Sequence, residues 1–194
     1  MRFRSIKPEI RVVGIDDGVF VPHTKGSALV IGVVFRGGLW LDGVMHTKVT
    51  VDGMDANERL ASMIVSSPHF KQLRVIMLNG VTCAGFNVVD IKRLNEDTSL
   101  PVIAVTRKKP NYNEIYAALK HLPNSDERWA AMQRAGELFA VPARGKRGKI
   151  FVHVAGIAAG DAEQIVQKTA TRSDVPEPLR VAHLIASGVS ESIV

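Results

Sequence analysis

Met77-Leu-Asn-Gly-Val-Thr-Cys-Ala-Gly-Phe-Asn-Val-Val-Asp90 sets a polar loop containing two glycines at the exit of an apolar strand. Leu73 to Leu78 is a run of large apolar residues broken only by Arg74, the composition of a strand buried on both faces, and Asn79-Gly80 ends it. Open α/β sheets keep their sites outside the carboxyl ends of such strands, so this loop is either a site or an ordinary strand-to-helix turn. Gly80 and Gly85 allow a tight turn or a close approach of backbone to ligand.

Working outward, Ile10 to Phe20 reads as a strand carrying Asp16-Asp17 near its end. Ser27 to Phe35 is a second apolar strand, and Arg36-Gly37-Gly38 is a hairpin turn into a third, Leu39 to Val51, whose character alternates. A helix over 55–65 follows, with Asp52 or Asp55 available as its cap. The pattern then alternates: strand 73–78, helix 88–96, strand 101–105, helices 112–121 and 125–136, strand 150–154, helices 160–170 and 178–187. An antiparallel three-stranded meander, a helix and then parallel β-α units flanked by helices is the element order of the ribonuclease-H-like α/β fold. The stretch 123–149 reads as a helical insertion followed by a mobile basic loop.

The chain has 194 residues, 46% hydrophobic and 23% charged, which is material for one ordinary domain over 1–194. No segment reaches the roughly 20 uncharged apolar residues of a membrane span. The start, Met-Arg-Phe-Arg-Ser-Ile-Lys-Pro-Glu, lacks the apolar core of a signal peptide, so no membrane association and a cytoplasmic location are expected. The single cysteine, Cys83, has no thiol partner and reads as a small packed residue. The formal charge of +6 favours polyanions. It is concentrated in Arg107-Lys108-Lys109, after one strand, and in Arg144, Lys146, Arg147 and Lys149, before another. Two basic loops in a small domain point to phosphate-backbone binding, against the plainer reading of solvated loops.

Alternation sends Asp16 and Asp17 to opposite faces of their strand. A carboxylate at a sheet end is costly unless something pairs it, and magnesium takes one or two carboxylates with waters and phosphate oxygens, needing no Cys or His. The plainer reading is a turn at Asp16-Asp17-Gly18. Asp90 and Glu177 could converge on Asp16 as metal ligands, although each stands at the start of a helix, where acids are ordinary. His183 and Arg180 share a face of the last helix. His183, among Leu179, Val181, Ala182, Leu184 and Ile185, reads as a packed, hydrogen-bonded histidine with a secondary reading as a phosphate or proton-transfer group. His46 and His153 lie on apolar strands and read as core groups or as groups that support a neighbouring site residue, and Trp40 and Trp129 are too isolated to suggest a stacking platform. No P-loop or dinucleotide fingerprint supports a nucleotide enzyme.

Three stretches carry a family resemblance: Val13-Gly-Ile-Asp-Asp-Gly18; Gly80-Val-Thr82 with Ala84-Gly-Phe-Asn-Val-Val-Asp90; and Pro176-Glu-Pro-Leu-Arg-Val-Ala-His-Leu-Ile-Ala186. From about residue 5 onward the chain resembles the largely archaeal Domain of Unknown Function 99 group. That group is similar to endonuclease V, a ribonuclease-H-like, magnesium-dependent nuclease of deaminated nucleic acid, and members have been linked to cleavage near deoxyuridine. The resemblance implies a metal-dependent endonuclease for deoxyuridine-containing DNA, possible on RNA too, with Mg2+ or Mn2+ as cofactor and oligomeric state open, a homodimer included. Asp16 matches the first-strand metal aspartate. Asn79-Gly80 falls where endonuclease V has Asp-Gly, so an amide stands for a carboxylate, and the glutamate after the third strand has no clear match beyond Asp52 or Asp55. Asp17, Asn79 and Asp90 would then support Asp16 in catalysis. Gly80, Thr82, Gly85 and Asn87 would form a pocket for an extruded base, with Asn87 reading a base edge. The alternative is a nucleic-acid-binding module that kept the fold and lost hydrolysis with Asn79.

Overall fold

The structure, a computed structural model, describes residues 3–22, 24–144 and 148–190. β1 (Arg11–Asp17), β2 (Ser27–Arg36) and β3 (Trp40–Thr50) form the expected antiparallel meander. β1 also pairs parallel with β4 (Val75–Asn79), so it is central and Val12 and Val13 are both fully buried. β4 pairs parallel with β7 (Val102–Thr106). The sheet then departs from the expected parallel run: β9 (Lys149–Ala155) is antiparallel to β7, and β8 (Phe139–Pro142) is antiparallel to β9 at the sheet edge. β8 escaped the sequence reading because it is a short edge strand ending in proline, placed within the presumed insertion. The strand order is β3-β2-β1-β4-β7-β9-β8.

One face of the sheet is covered by α1 (Ala56–Val65) and α2 (Ile91–Thr98), which join Val13, Ile15, Ile76 and Leu78 in one core. The other face is covered by α5 (Ala159–Thr169) and α6 (Glu177–Ser190), packed on Val12, Val75, Met77 and Ile103 and on Ile31, Val33 and Phe35. The loop after β4 holds a small hairpin of β5 (Thr82–Cys83) and β6 (Asn87–Val88), and α3 (Tyr112–Leu119) and α4 (Ser125–Arg134) pack their apolar residues against Val88. Among the described residues no helix is long and apolar enough to cross a membrane.

One packing detail positions the site. Gly14, Asp16 and Gly18 fall on the face of β1 that α6 covers. A Cβ on Gly14 would collide with the backbone of Pro178, and one on Gly18 with the Ala186 carbonyl and the Ser190 hydroxyl. The two glycines therefore let α6 lie close on the strand at either side of Asp16, which brings His183 within reach of its carboxylate.

Candidate active site

Asp16 is buried at 5% exposure, yet its carboxylate stands at the end of β1 beside the end of β4. Because Ile15 pairs with Leu78 in parallel register, the next residues along, Asp16 and Asn79, are neighbours. Asn79 Nδ2 lies 3.1 Å from both carboxylate oxygens. His183 Nδ1 lies 2.9 Å from Oδ2, and the Asp17 backbone N–H donates to Oδ1 at 3.0 Å. The reading of His183 as a packed residue is corrected: its side chain is 60% exposed and its partner is Asp16. Apolar neighbours misled because Leu179, Val181, Ala182 and Ile185 pack toward the sheet, whereas His183, with the exposed Leu184, faces the cleft.

Burial pushes the Asp16 pKa up to about 6, with the nearby Asp17 charge adding to the rise and the Asn79 hydrogen bond and His183 opposing it. Asp17 is also raised, chiefly by burial, and its Oδ2 accepts from the Ala84 backbone N–H at 2.9 Å. Asp17 thus ties the loop after β4 to β1 from the opposite side of the strand.

Asn79 and His183 open onto a cleft of about 650 Å³ that Thr106, Arg107, Lys108 and Arg180 also line. The basic run after β7 is therefore brought to the Asp16 site. On the other side of the strand ends, Gly80 and Thr82 line both the crevice at Asp16 and a separate pocket of about 350 Å³, whose walls include Phe86, Lys108, Lys109 and Tyr112. Gly80 has positive φ with open space beyond its Cα.

Other expected site residues are engaged elsewhere. Asp90 caps α2, accepting from the Lys92 and Arg93 backbone N–H groups at 3.1 and 3.2 Å, and its Oδ2 pairs with Arg134 at 2.6 Å. Its carboxylate is spent on architecture and does not join Asp16. Glu177, only 2% exposed, is bonded by Arg180 at 2.7 Å and by the Arg172 backbone N–H at 3.2 Å, and this corrects its reading as a metal ligand. Asn87 is fully buried and bonds Asp55, the Thr50 carbonyl and the Ala56 N–H, so it has no group left to read a base. Gly85 backs onto Asp52, whose Oδ1 holds the Phe86 N–H at 2.8 Å, and serves the turn rather than a ligand. Arg144 is exposed in the loop before β9, and Lys146 and Arg147 lie outside the described residues. His46 is exposed, contrary to expectation, whereas His153 and Cys83 are buried. Trp129 is not isolated: it contacts the rings of Tyr112 and Tyr116.

Arg128 was missed altogether. It is 1% exposed and its guanidinium donates to the carbonyls of Asp52, Gly53, Phe86 and Pro123, locking α4 onto the turns that carry the pocket. A lone arginine in a polar helix carries no sequence signal for this.

Among the described residues no three of His, Cys, Asp and Glu gather as a ready metal cage. The donors at hand are the Asp16 carboxylate, the Asn79 amide and the His183 ring, beside an open cleft. They fit a hard cation that keeps most of its waters, because such an ion takes one or two carboxylates and a rotated amide would turn its oxygen toward Asp16. A cation there would also relieve the burial of the Asp16 charge.

The family model for Endonuclease dU matches residues 8–190. The chain belongs to the Endonuclease dU family. A UPF0215 protein of Methanothermobacter thermautotrophicus is 52% identical over 189 residues, covering 97% of this chain and 91% of that protein. The crystal structure of a protein of unknown function from Archaeoglobus fulgidus matches with TM-score 0.83 at 35% identity, over 93% of this chain and 98% of that one. Ciona intestinalis endonuclease V, solved with a 24mer DNA containing an inosine followed by a ribo-adenosine, matches with TM-score 0.64 at 15% identity, over 95% of this chain and 87% of its own. That likeness establishes the ribonuclease-H-like, endonuclease V-like fold for this member of the Endonuclease dU family, and family and fold together support a nuclease-type function.

Proposed function

We propose that this protein is a metal-dependent endonuclease that hydrolyses a phosphodiester of DNA near a deaminated base, deoxyuridine in the first place. The observation that carries the reading is the buried Asp16 carboxylate held between Asn79 and the exposed His183 at the mouth of a cleft lined by Arg107, Lys108 and Arg180. Arg107 and Lys108 would bind the phosphate backbone, with Arg180 contributing the part of its guanidinium not taken by Glu177. Asp16 and Asn79 would hold the Mg2+ or Mn2+ ion, which when bound polarises the phosphate and acidifies a water. His183, with Nδ1 on Asp16, presents its other ring nitrogen to the cleft, where it can take or deliver a proton as a ring oriented by a carboxylate does. The pocket behind Gly80 would receive the extruded base, with Phe86 in its wall.

Asn79 in place of an acid favours a second reading, a module that binds nucleic acid without cutting it. Purified protein incubated with a deoxyuridine-bearing duplex and Mg2+ separates the two. Nicking that disappears in Asp16→Ala supports the nuclease, and binding without nicking supports the module.

A further inference from the structure

The 350 Å³ pocket behind Gly80 contains a polar pair that the nuclease reading leaves unused. Tyr112, the first residue of α3, lies 3.0 Å through its hydroxyl from Nε2 of His153 on β9. Nδ1 of the same ring lies 3.2 Å from the carbonyl of Glu137. A carbonyl can only accept, so Nδ1 carries the proton; burial pushes the His153 pKa down, so the ring is neutral and Nε2 is a lone pair. The Tyr112 hydroxyl must therefore donate to His153, and what it turns to the pocket is its oxygen, an acceptor. Trp129 packs edge-on against the Tyr112 ring at 6.4 Å, which fixes the side chain from the other side. Lys108 and Lys109, both donors, line the same pocket.

We infer that the Tyr112–His153 pair is the element that recognises a deaminated base, by accepting the imino N–H that deamination creates. This rests on the nuclease reading for the base being extruded into that pocket. Cytosine and adenine carry a ring-nitrogen lone pair beside an amino group; their deamination products, uracil and hypoxanthine, carry a ring N–H beside a carbonyl. An acceptor at Tyr112 with lysine donors nearby complements the second pattern and sets lone pair against lone pair with the first. Thymine and guanine share the N–H and carbonyl pattern, so this pair separates uracil from cytosine but not uracil from thymine, and those bases are spared by the cost of leaving a correct base pair.

The test uses single-stranded oligonucleotides of one sequence carrying deoxyuridine, N3-methyl-deoxyuridine or deoxycytidine at one position, with binding read by fluorescence anisotropy in EDTA. The wild-type protein should bind the deoxyuridine strand about tenfold more tightly than the other two, the worth of one buried hydrogen bond with its desolvation. Tyr112→Phe, which keeps the ring against Trp129, should bring all three to within about twofold, by weakening deoxyuridine binding and by leaving deoxycytidine binding no weaker than in the wild type. A variant that keeps the wild-type preference overturns the inference, as does a wild-type protein with no preference, or an equal loss on all three strands with a lowered melting temperature. Asp16-dependent nicking of a deoxyuridine duplex, measured separately with Mg2+, decides the nuclease reading whichever way the binding series falls.

Discussion

Asp16→Asn should abolish nicking and at the same time stabilise the metal-free protein. The carboxylate moves from an ordinary pKa of 3.8 to about 6 on folding, because burial makes the charge costly. Below about pH 3 the group is largely protonated in both states and folding is nearly indifferent to it. As pH rises toward 6 the unfolded chain releases the proton while the folded chain holds it, so stability falls; above about pH 6 both are ionised and the folded state carries the full penalty. Roughly two pKa units at about 1.36 kcal/mol each give a penalty of about 3 kcal/mol at neutral pH. An asparagine has the same shape, can accept from Asn79 through its oxygen and has no charge to bury, so most of that penalty disappears.

For a chain of this size about 1 kcal/mol corresponds to roughly 2–4 °C, so the variant should melt about 6–10 °C higher near pH 7.5 and within about 2 °C of the wild type near pH 4. Differential scanning calorimetry in EDTA at several pH values reads both quantities. Adding Mn2+ should raise the melting temperature of the wild type and leave Asp16→Asn unmoved, since an ion that binds only the folded state stabilises it in proportion to the logarithm of its saturation. A variant that melts at or below the wild-type temperature near pH 7.5, or whose gain is the same at pH 4, would refute the claim that the Asp16 charge is held at a cost.

Asn79→Asp puts a second carboxylate where an amide donor stood 3.1 Å from Asp16, so in EDTA it should lose about 2 kcal/mol of stability and with Mn2+ bind the ion roughly tenfold more tightly, both read by thermal and calorimetric titration. Asp90→Ala removes a helix cap and the Arg134 partner and should cost about 1–2 kcal/mol in a urea titration while nicking persists below the transition; loss of nicking in folded protein would return Asp90 to the site. The double variant Arg107→Ala, Lys108→Ala should flatten the slope of log affinity against log salt by about 2 on any DNA sequence, and an unchanged slope would remove the cleft from the binding path.

The frame of this fold was legible because period and composition report burial. Val12 to Ile15, Val75 to Leu78 and Val102 to Val105 are strand segments buried on both faces and look like it. Asp16 was legible for the related reason that a charge at the end of such a strand needs a partner. The remaining acids were not, because a sequence gives a carboxylate's place along the chain but not which way it faces. Asp90 and Glu177 stand at helix starts in the motifs that carry the family resemblance, and there a capping acid and a metal-binding acid look alike. His183 was hidden by the opposite effect, since its neighbours along the chain are apolar while its neighbours in space are Asp16 and the cleft. Tyr112 and His153 come together only through the long connection across α3, α4 and β8, and no spacing announces them.

The buried carboxylate and the amide beside it are best understood as one device. A protein that only needed Asp16 for packing would gain about 3 kcal/mol by carrying an amide there, and Asn79 already shows that an amide is accepted on the adjoining strand. Keeping a charge at the dearer of the two positions therefore points to work the charge performs, the usual reason a strongly perturbed group persists in a cleft. Two carboxylates so close would leave one protonated near neutral pH unless a cation sat between them. With Asn79 as the neighbour, Asp16 ionises near pH 6 without such an ion, and its charge is available to orient His183. On the proposed reading, the arrangement would give up metal affinity for a carboxylate–histidine pair that is assembled without the ion.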